Sequence, residues 1–153
     1  MLALLLALAA PVSMAVTLDA RDAPKRILHA HLTITVPGGP IVLDYPKWLN
    51  GTHGPYGPIE NLTGLRFTAG GKTVGWKRDT ADLFKFHVDV PAGVTRLEVD
   101  LDYLAVPAGA TAFSTGINGR LSSAQLAVIP WYAVMLYPDG RTIRDVNVQP
   151  QLR

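Results

Sequence analysis

The sequence predicts an all-β protein, an antiparallel β-sandwich, on three observations. Apolar and polar residues alternate with period two in several short windows, Gly and Pro break the chain at short intervals, and no long window after the first turn signals carries helical spacing. With 153 residues, 48% of them hydrophobic, and a formal net charge of +2, the chain has apolar material for one core and too little charge for disorder. One folded domain is expected.

The elements follow in order. Leu28 to Val36 places Leu28, Ala30, Leu32, Ile34 and Val36 on one face and His29, His31, Thr33 and Thr35 on the other, a half-buried strand. Pro37-Gly38-Gly39-Pro40 reads as a turn and Ile41 to Tyr45 as a returning strand, so a hairpin is expected to open the fold. A second hairpin is expected from Gly64 to Ala69 and Thr73 to Lys77 around Gly70-Gly71. Leu83 to Val90 turns Phe84, Phe86, Val88 and Val90 inward. After Pro91-Ala92-Gly93, Arg96 to Tyr103 opposes Leu97, Val99, Leu101 and Tyr103 to Arg96, Glu98, Asp100 and Asp102. Ala105 to Ser123 is aperiodic and reads as a long loop. Leu126 to Tyr137, apolar but for Pro130, reads as a buried strand pair or a bulged strand, and Thr142 to Val148 as the last strand.

The start of the chain differs from the rest. Leu2 to Ala10 is an unbroken run of Leu and Ala, and Ser13-Met14-Ala15 is a small-x-small step of the kind signal peptidase accepts. Residues 1–15 are therefore expected to be a signal peptide and residues 16–153 the domain, placed in the periplasm or secreted. The run is shorter than the ~20 residues that span a bilayer, so no permanent membrane span is expected.

Composition and motifs exclude several chemistries. The absence of cysteine removes disulfides, thiolate zinc sites and a cysteine nucleophile. The 14 basic residues are spread among 12 acidic ones without forming a stripe, which argues against nucleic-acid binding. No Gly-x-Ser-x-Gly elbow, phosphate loop or His-Glu-x-x-His helix occurs. His29 and His31 share a strand face, but no clustered carboxylate in the sequence completes a metal site, and the plainer reading is a solvated pair. No catalytic residue and no metal ligand is assigned to this chain.

One segment is unusual. Asp44 to Ile59 holds Trp48, His53 and Tyr56 among three prolines and three glycines. Such a loop is stiff and chemically specific, as where a scaffold presents a binding edge. A packed Ω-loop in which Trp48 fills a gap is the competing reading, and composition leaves the two open. A second cluster, Trp76, Arg78 and Asp79, reads as structural, with Asp79 pairing an arginine or capping the next turn.

Taken in series, Tyr45-Pro46-Lys47-Trp48, the Gly51 to Ile59 stretch with His53-Gly54-Pro55-x-Gly57-Pro58, Gly64-Leu65-x-Phe67, Trp76-x-Arg78-Asp79, Phe86-His87-Val88, Val90 to Val94 and Leu136-Tyr137-Pro138 resemble the N-terminal domain of the glycyl aminopeptidase family. These are gluzincin zinc metallopeptidases that usually carry a PDZ domain. The resemblance implies a β-rich, non-catalytic domain of a secreted zinc aminopeptidase, walling its substrate cleft. Its partners would be the C-terminal catalytic and PDZ domains of the same polypeptide and a peptide substrate. Zinc would sit in the catalytic domain, and no zinc ligand is carried over here. His53, Gly54, Tyr56 and Gly57 become candidate substrate-binding residues, and Trp48, Trp76, Arg78 and Asp79 structural motif residues. Asn50, Thr52 and Tyr56 stand where the family commonly has Pro, Glu and Thr. The alternative is a stand-alone β-sandwich module that binds peptide or carbohydrate.

Overall fold

The computed structural model describes residues 12–107, 121–122, 124–141 and 143–153. The strands are β1 (Val12–Asp19), β2 (Ile27–Thr35), β3 (Gly39–Asp44), β4 (Leu62–Ala69), β5 (Lys72–Val74), β6 (Trp76–Arg78), β7 (Lys85–Val90), β8 (Arg96–Leu104), β9 (Val106–Pro107), β10 (Leu121–Ser122), β11 (Ala127–Val128), β12 (Tyr137–Pro138) and β13 (Val146–Leu152). No α-helix occurs among the described residues; the remaining elements are short 3₁₀ turns.

Two sheets face each other. The larger has the order β13-β1-β2-β8-β4-β5 and the smaller β12-β3-β7-β6, with a three-stranded β11-β10-β9 patch beside them. Pairing is antiparallel except for β1 with β13 and β9 with β10, which run parallel. The alternation read from the sequence becomes the core. Leu28, Ala30, Leu32 and Ile34 of β2 and Leu97, Val99, Leu101 and Tyr103 of β8 are buried, as are Leu43 of β3 and Phe86, Val88 and Val90 of β7. Period-two side chains from two sheets interdigitate in this way in any aligned sandwich.

Several expected connections are different. β2 and β3 do not form a hairpin: β2 lies between β1 and β8, and β3 pairs with β7 in the other sheet. Pro37 to Pro40 is a corner. A two-residue turn keeps strands in one sheet, whereas this longer Pro- and Gly-rich step crosses to the opposite layer. The corner packs against a second crossing, from β7 to β8, where the Val36 N–H donates to the Thr95 carbonyl at 3.0 Å. The expected β4–β5 hairpin forms, but Thr73 to Lys77 is not one strand. It divides at Gly75, so that β5 pairs with β4 and β6 with β7.

The C-terminal third departs most from the sequence reading. Leu126 and Val128 are exposed, and the segment expected to be a buried strand pair is instead β11, a 3₁₀ turn over Trp131–Val134 and β12. Pro130 caps the 3₁₀ turn, because its ring removes the amide a strand ladder would need. Ala133, Val134 and Leu136 are the buried residues of the stretch. The last strand starts at Val146, after a 3₁₀ turn over Ile143–Asp145, and runs on to Leu152. Pro150 is accommodated because β13 is an edge strand. Of the expected loop from Ala105 to Ser123, β9 and β10 occupy the two ends, and residues 108–120 and 123 lie outside the described residues. Residues 1–11 of the expected signal peptide also lie outside them. Residues 12–15 are the first half of β1, with Val12 and Met14 in the core.

Candidate functional site

The unusual loop leaves the end of β3 at Tyr45. This ring is fully buried, its amide donates to the Phe84 carbonyl at 2.8 Å and its hydroxyl to the Ala133 carbonyl at 2.9 Å. One residue thus ties the loop's root to the smaller sheet and to the Trp131–Val134 turn. Lys47 extends the anchorage: its ammonium bonds the Asp82 carboxylate at 2.8 Å and lies 5.5 Å from the Phe84 ring centre. That contact, helped by the Phe84 amide, holds the Asp82 carboxyl below its ordinary value.

The loop closes on itself. The Gly57 N–H donates to the Lys47 carbonyl at 3.0 Å, so positions ten apart meet at a neck. A Cβ on Gly57 would lie 1.8 Å from the Pro46 carbonyl oxygen, and only glycine lets the two strands of the neck approach so closely. Inside, the Thr52 hydroxyl donates to the Leu49 carbonyl at 2.7 Å, and the Tyr56 amide bonds the Gly54 carbonyl at 2.9 Å. Gly54 is buried beneath the Tyr56 ring, whose nearest atom would stand 2.8 Å from an added Cβ.

The loop is therefore an Ω-loop, but Trp48 does not fill its gap. Leu49 is the buried residue, while Trp48 and Tyr56 are 67% and 63% exposed and His53 is exposed as well. Of the four predicted substrate-binding residues, Gly54 and Gly57 shape the loop from within. His53 and Tyr56 are the two left on its surface.

Beside the loop lies an open, mainly apolar groove of about 380 Å³. Pro46 and Trp48 form one side, Tyr132, Met135 and Tyr137 the next, and Met14, Val146 and Val148 of β1 and β13 the floor; Arg141 is its charged member. The groove runs between the smaller sheet's edge strand β12, which contributes Tyr137, and the β1–β13 edge of the larger sheet, which contributes Met14, Val146 and Val148. The inward-facing row of β13, from Val146 and Val148 to Pro150 and Leu152, is half-buried and then exposed. Tyr132 and Met135 belong to the segment whose 3₁₀ turn the sequence reading does not foresee; the sequence signals there are an apolar run interrupted by Pro130 and the aromatic pair Trp131-Tyr132, the surface expected to pack on a catalytic domain.

Charged groups brace the β3–β12 pairing that carries Tyr137. The Lys85 ammonium bridges Asp44 at 3.0 Å and Asp139 at 2.8 Å, joining β7 to β3 and to the turn after β12. Asp139 first, then Asp44, raises the Lys85 pKa. Burial pushes the Asp44 carboxyl up and is also the main cause of the raised Tyr137 pKa.

The second cluster is structural. Trp76 meets Phe67 of the larger sheet and Phe86 of the smaller edge-on, at 6.2 and 5.5 Å between ring centres, and so staples the two layers where β5 passes into β6. The Arg78 guanidinium lies 5.0 Å from the Phe86 ring centre. Asp79 caps a turn through the amides of Ala81 and Asp82, both at 2.8 Å, and its side-chain partner is His87 at 2.8 Å instead of an arginine. The imidazole, followed by those amides, lowers its pKa to about 2.

On the outer face of the larger sheet, His29 Nδ1 meets Asp102 at 2.6 Å and His31 Nδ1 meets Asp100 at 2.8 Å, pairs set by the β2–β8 register. Asp102 raises the His29 pKa. Among the described residues no three His, Cys, Asp or Glu side chains converge as a metal site.

Comparison with known proteins agrees with the architecture. A solved structure of an aminopeptidase N family protein from Idiomarina loihiensis superposes with a TM-score of 0.66 at 14% identity, covering 90% of this chain and 22% of that one. An M1 zinc metallopeptidase from Deinococcus radiodurans, in a variant form bound to a Tyr-Ser-Ala substrate, matches at TM-score 0.36 and 17% identity over 65% of this chain and 21% of that one. At these identities the first match shows shared fold. No curated protein matches the chain. This chain spans about a fifth of the solved relatives' length, 22% and 21% in the two cases. The model of the peptidase M61 N-terminal domain matches residues 15–153, and the chain belongs to that family.

Proposed function

We propose that this chain is the non-catalytic N-terminal domain of a secreted zinc aminopeptidase and that its Ω-loop walls the substrate cleft. The observation that carries the reading is the self-braced loop that holds Tyr56 and Trp48 out to solvent, with Pro46 and Trp48 lining an open apolar groove. Exposed aromatics fixed by a rigid scaffold lose little conformational entropy on meeting a ligand. The groove, with half-buried Trp131 and Tyr132 of the neighbouring turn, is the face assigned to packing on the catalytic domain, since interfaces between domains of one chain are built from such mixed, part-apolar surface.

The division of labour follows from the residues present. Polarisation of the scissile carbonyl and activation of water belong to a zinc site in the separate catalytic domain. Here, Tyr56 supplies a hydroxyl and a steric stop for the amino-terminal residue of a peptide, and His53 a polar neighbour. Gly54 and Gly57 keep both in place by letting the loop close. This chain positions the peptide's amino end and leaves bond cleavage to its partner domain.

The test is reconstitution. This chain with added zinc is expected to hydrolyse no peptide, and a polypeptide that continues past Arg153 into a His-Glu-x-x-His domain is expected to release amino-terminal residues. Hydrolysis by this chain alone would overturn the reading. A stand-alone binding module is the second reading, favoured by the same exposed Trp48 and Tyr56. Peptide or oligosaccharide binding by a chain whose gene encodes no zinc domain would establish it.

A further inference from the structure

We infer that the outer face of the larger sheet carries a clip for a divalent transition ion of the zinc or nickel type, formed by Nε2 of His29, Nε2 of His31 and a carboxylate oxygen of Asp22. The inference does not rest on the aminopeptidase reading. His29-Ala30-His31 puts two imidazoles on the exposed face of β2, because residues two apart on a strand share a face. The β2–β8 register supplies the carboxylates that the local sequence lacks: Asp102 stands opposite His29 and Asp100 opposite His31. Each takes Nδ1, at 2.6 and 2.8 Å. A carboxylate on Nδ1 fixes the ring proton there, leaves Nε2 as the ligating nitrogen and makes it more basic, which is the outer-shell support that metal-binding histidines use.

The spacing at Asp22 favours an ion over a proton. His29 Nε2 lies 3.5 Å from Asp22 Oδ2, while Lys25 holds the other oxygen of that carboxylate at 3.0 Å. A well-formed N–H···O bond measures about 2.7–3.2 Å. Two donors on a tetrahedral ion with bonds of about 2.0–2.1 Å stand about 3.3 Å apart. His29 and Asp22 are thus at ligand spacing, and the third donor, His31, lies about 6.8 Å further along the strand. The three do not converge as described, so the two exposed rings must tilt toward each other to share the ion. Neighbouring charges leave both Nε2 atoms to it: Arg66 meets Asp100 at 3.4 Å, Arg21 holds Asp19 of β1, and Arg153 lines the polar hollow of about 320 Å³ around the pair. Imidazole with one carboxylate suits zinc, nickel and copper better than calcium or magnesium. The ion takes the place of the His29 Nε2 proton, so binding releases a proton and tightens as pH rises. It ties the turn between β1 and β2 to β2 and raises stability.

The test is titration of the untagged chain with zinc chloride alone, followed by calorimetry and by the melting temperature. One ion per chain is expected, bound more tightly at about pH 7.5 than at about pH 6, with proton release and a raised melting temperature. His29→Gln and His31→Gln are each expected to weaken binding at least about tenfold, and Asp102→Asn, which touches no ion, also by about tenfold. His53→Gln and His87→Gln, which alter the two histidines outside the clip, are expected to change nothing. The melting temperature of each variant without zinc shows that it folds. Absence of zinc binding overturns the inference. So does binding that the double variant His29→Gln/His31→Gln retains, or binding that is lost with His53 or His87 instead, since either marks an adventitious ion only.

Discussion

The β2–β8 centre of the larger sheet and the Ω-loop with its groove use the same residue classes in opposite ways. In the first, every second residue is apolar and buried, and the polar groups left outside pair across strands as His29 with Asp102 and His31 with Asp100. In the second, the buried elements are Tyr45, Leu49, Gly54, Gly57 and Pro58, while the large aromatics Trp48 and Tyr56 stand in solvent. Packing accounts for the inner face of the first region completely. In the second, the stabilising contacts are spent on holding exposed aromatics still, an arrangement that folding alone does not require.

The largest expected effect lies in the core. Phe86→Ala removes a fully buried ring that touches Trp76 and Arg78, and is expected to cost about 3–5 kcal/mol of unfolding free energy by urea denaturation. A loss under about 1 kcal/mol would mean that the two sheets are not joined as described.

Gly57→Ala comes next and tests the loop's neck. The added Cβ meets the Pro46 carbonyl oxygen, so the neck must open, at an expected cost of about 1–3 kcal/mol and with faster amide exchange at Gly57. If the variant matched the parent in both, the loop would be loose and the contrast between the regions would fail.

A smaller effect belongs to the outer face. The His29 pKa is raised in the fold, chiefly by Asp102, so its contribution is complete below the unfolded value near 6.5 and is lost as pH rises through the folded value. Stability is therefore expected to decline as pH rises above about 6.5, by less than about 1 kcal/mol because the pair is solvent-screened. His29→Gln should flatten that part of the pH profile of the melting temperature.

The legibility of the two regions in the sequence differs for a physical reason. Strands β2, β7 and β8 announce themselves because a half-buried strand imposes period two on its side chains. Which sheet a strand joins is not written in that period. The Pro37 to Pro40 corner and the split at Gly75 look like hairpin signals because turns within and between sheets use the same residues. The Leu126 to Tyr137 run misleads for another reason: apolar content states that a segment is covered by something, and here part of it is exposed around a 3₁₀ turn. The Ω-loop was legible as stiff and unusual from its prolines, glycines and aromatics. Which of its residues reach the surface depends on the neck bond between Gly57 and Lys47, a contact across ten positions that no local pattern encodes. The groove has no local sequence signature, because its lining is drawn from positions as far apart as Met14, Trp48, Tyr132 and Val148.

The smallest effect on stability carries the most information about function. Tyr56 is exposed, and Tyr56→Ala is expected to change unfolding free energy by less than about 0.5 kcal/mol. The decisive measurement is kcat/KM for peptides with small and large amino-terminal residues, made on this variant within the polypeptide that includes the zinc domain. A fall of at least about tenfold, with altered preference between the two peptide classes and an unchanged melting temperature, is the predicted result. Unchanged rate and preference would contradict the assignment of this loop to the wall of a substrate cleft.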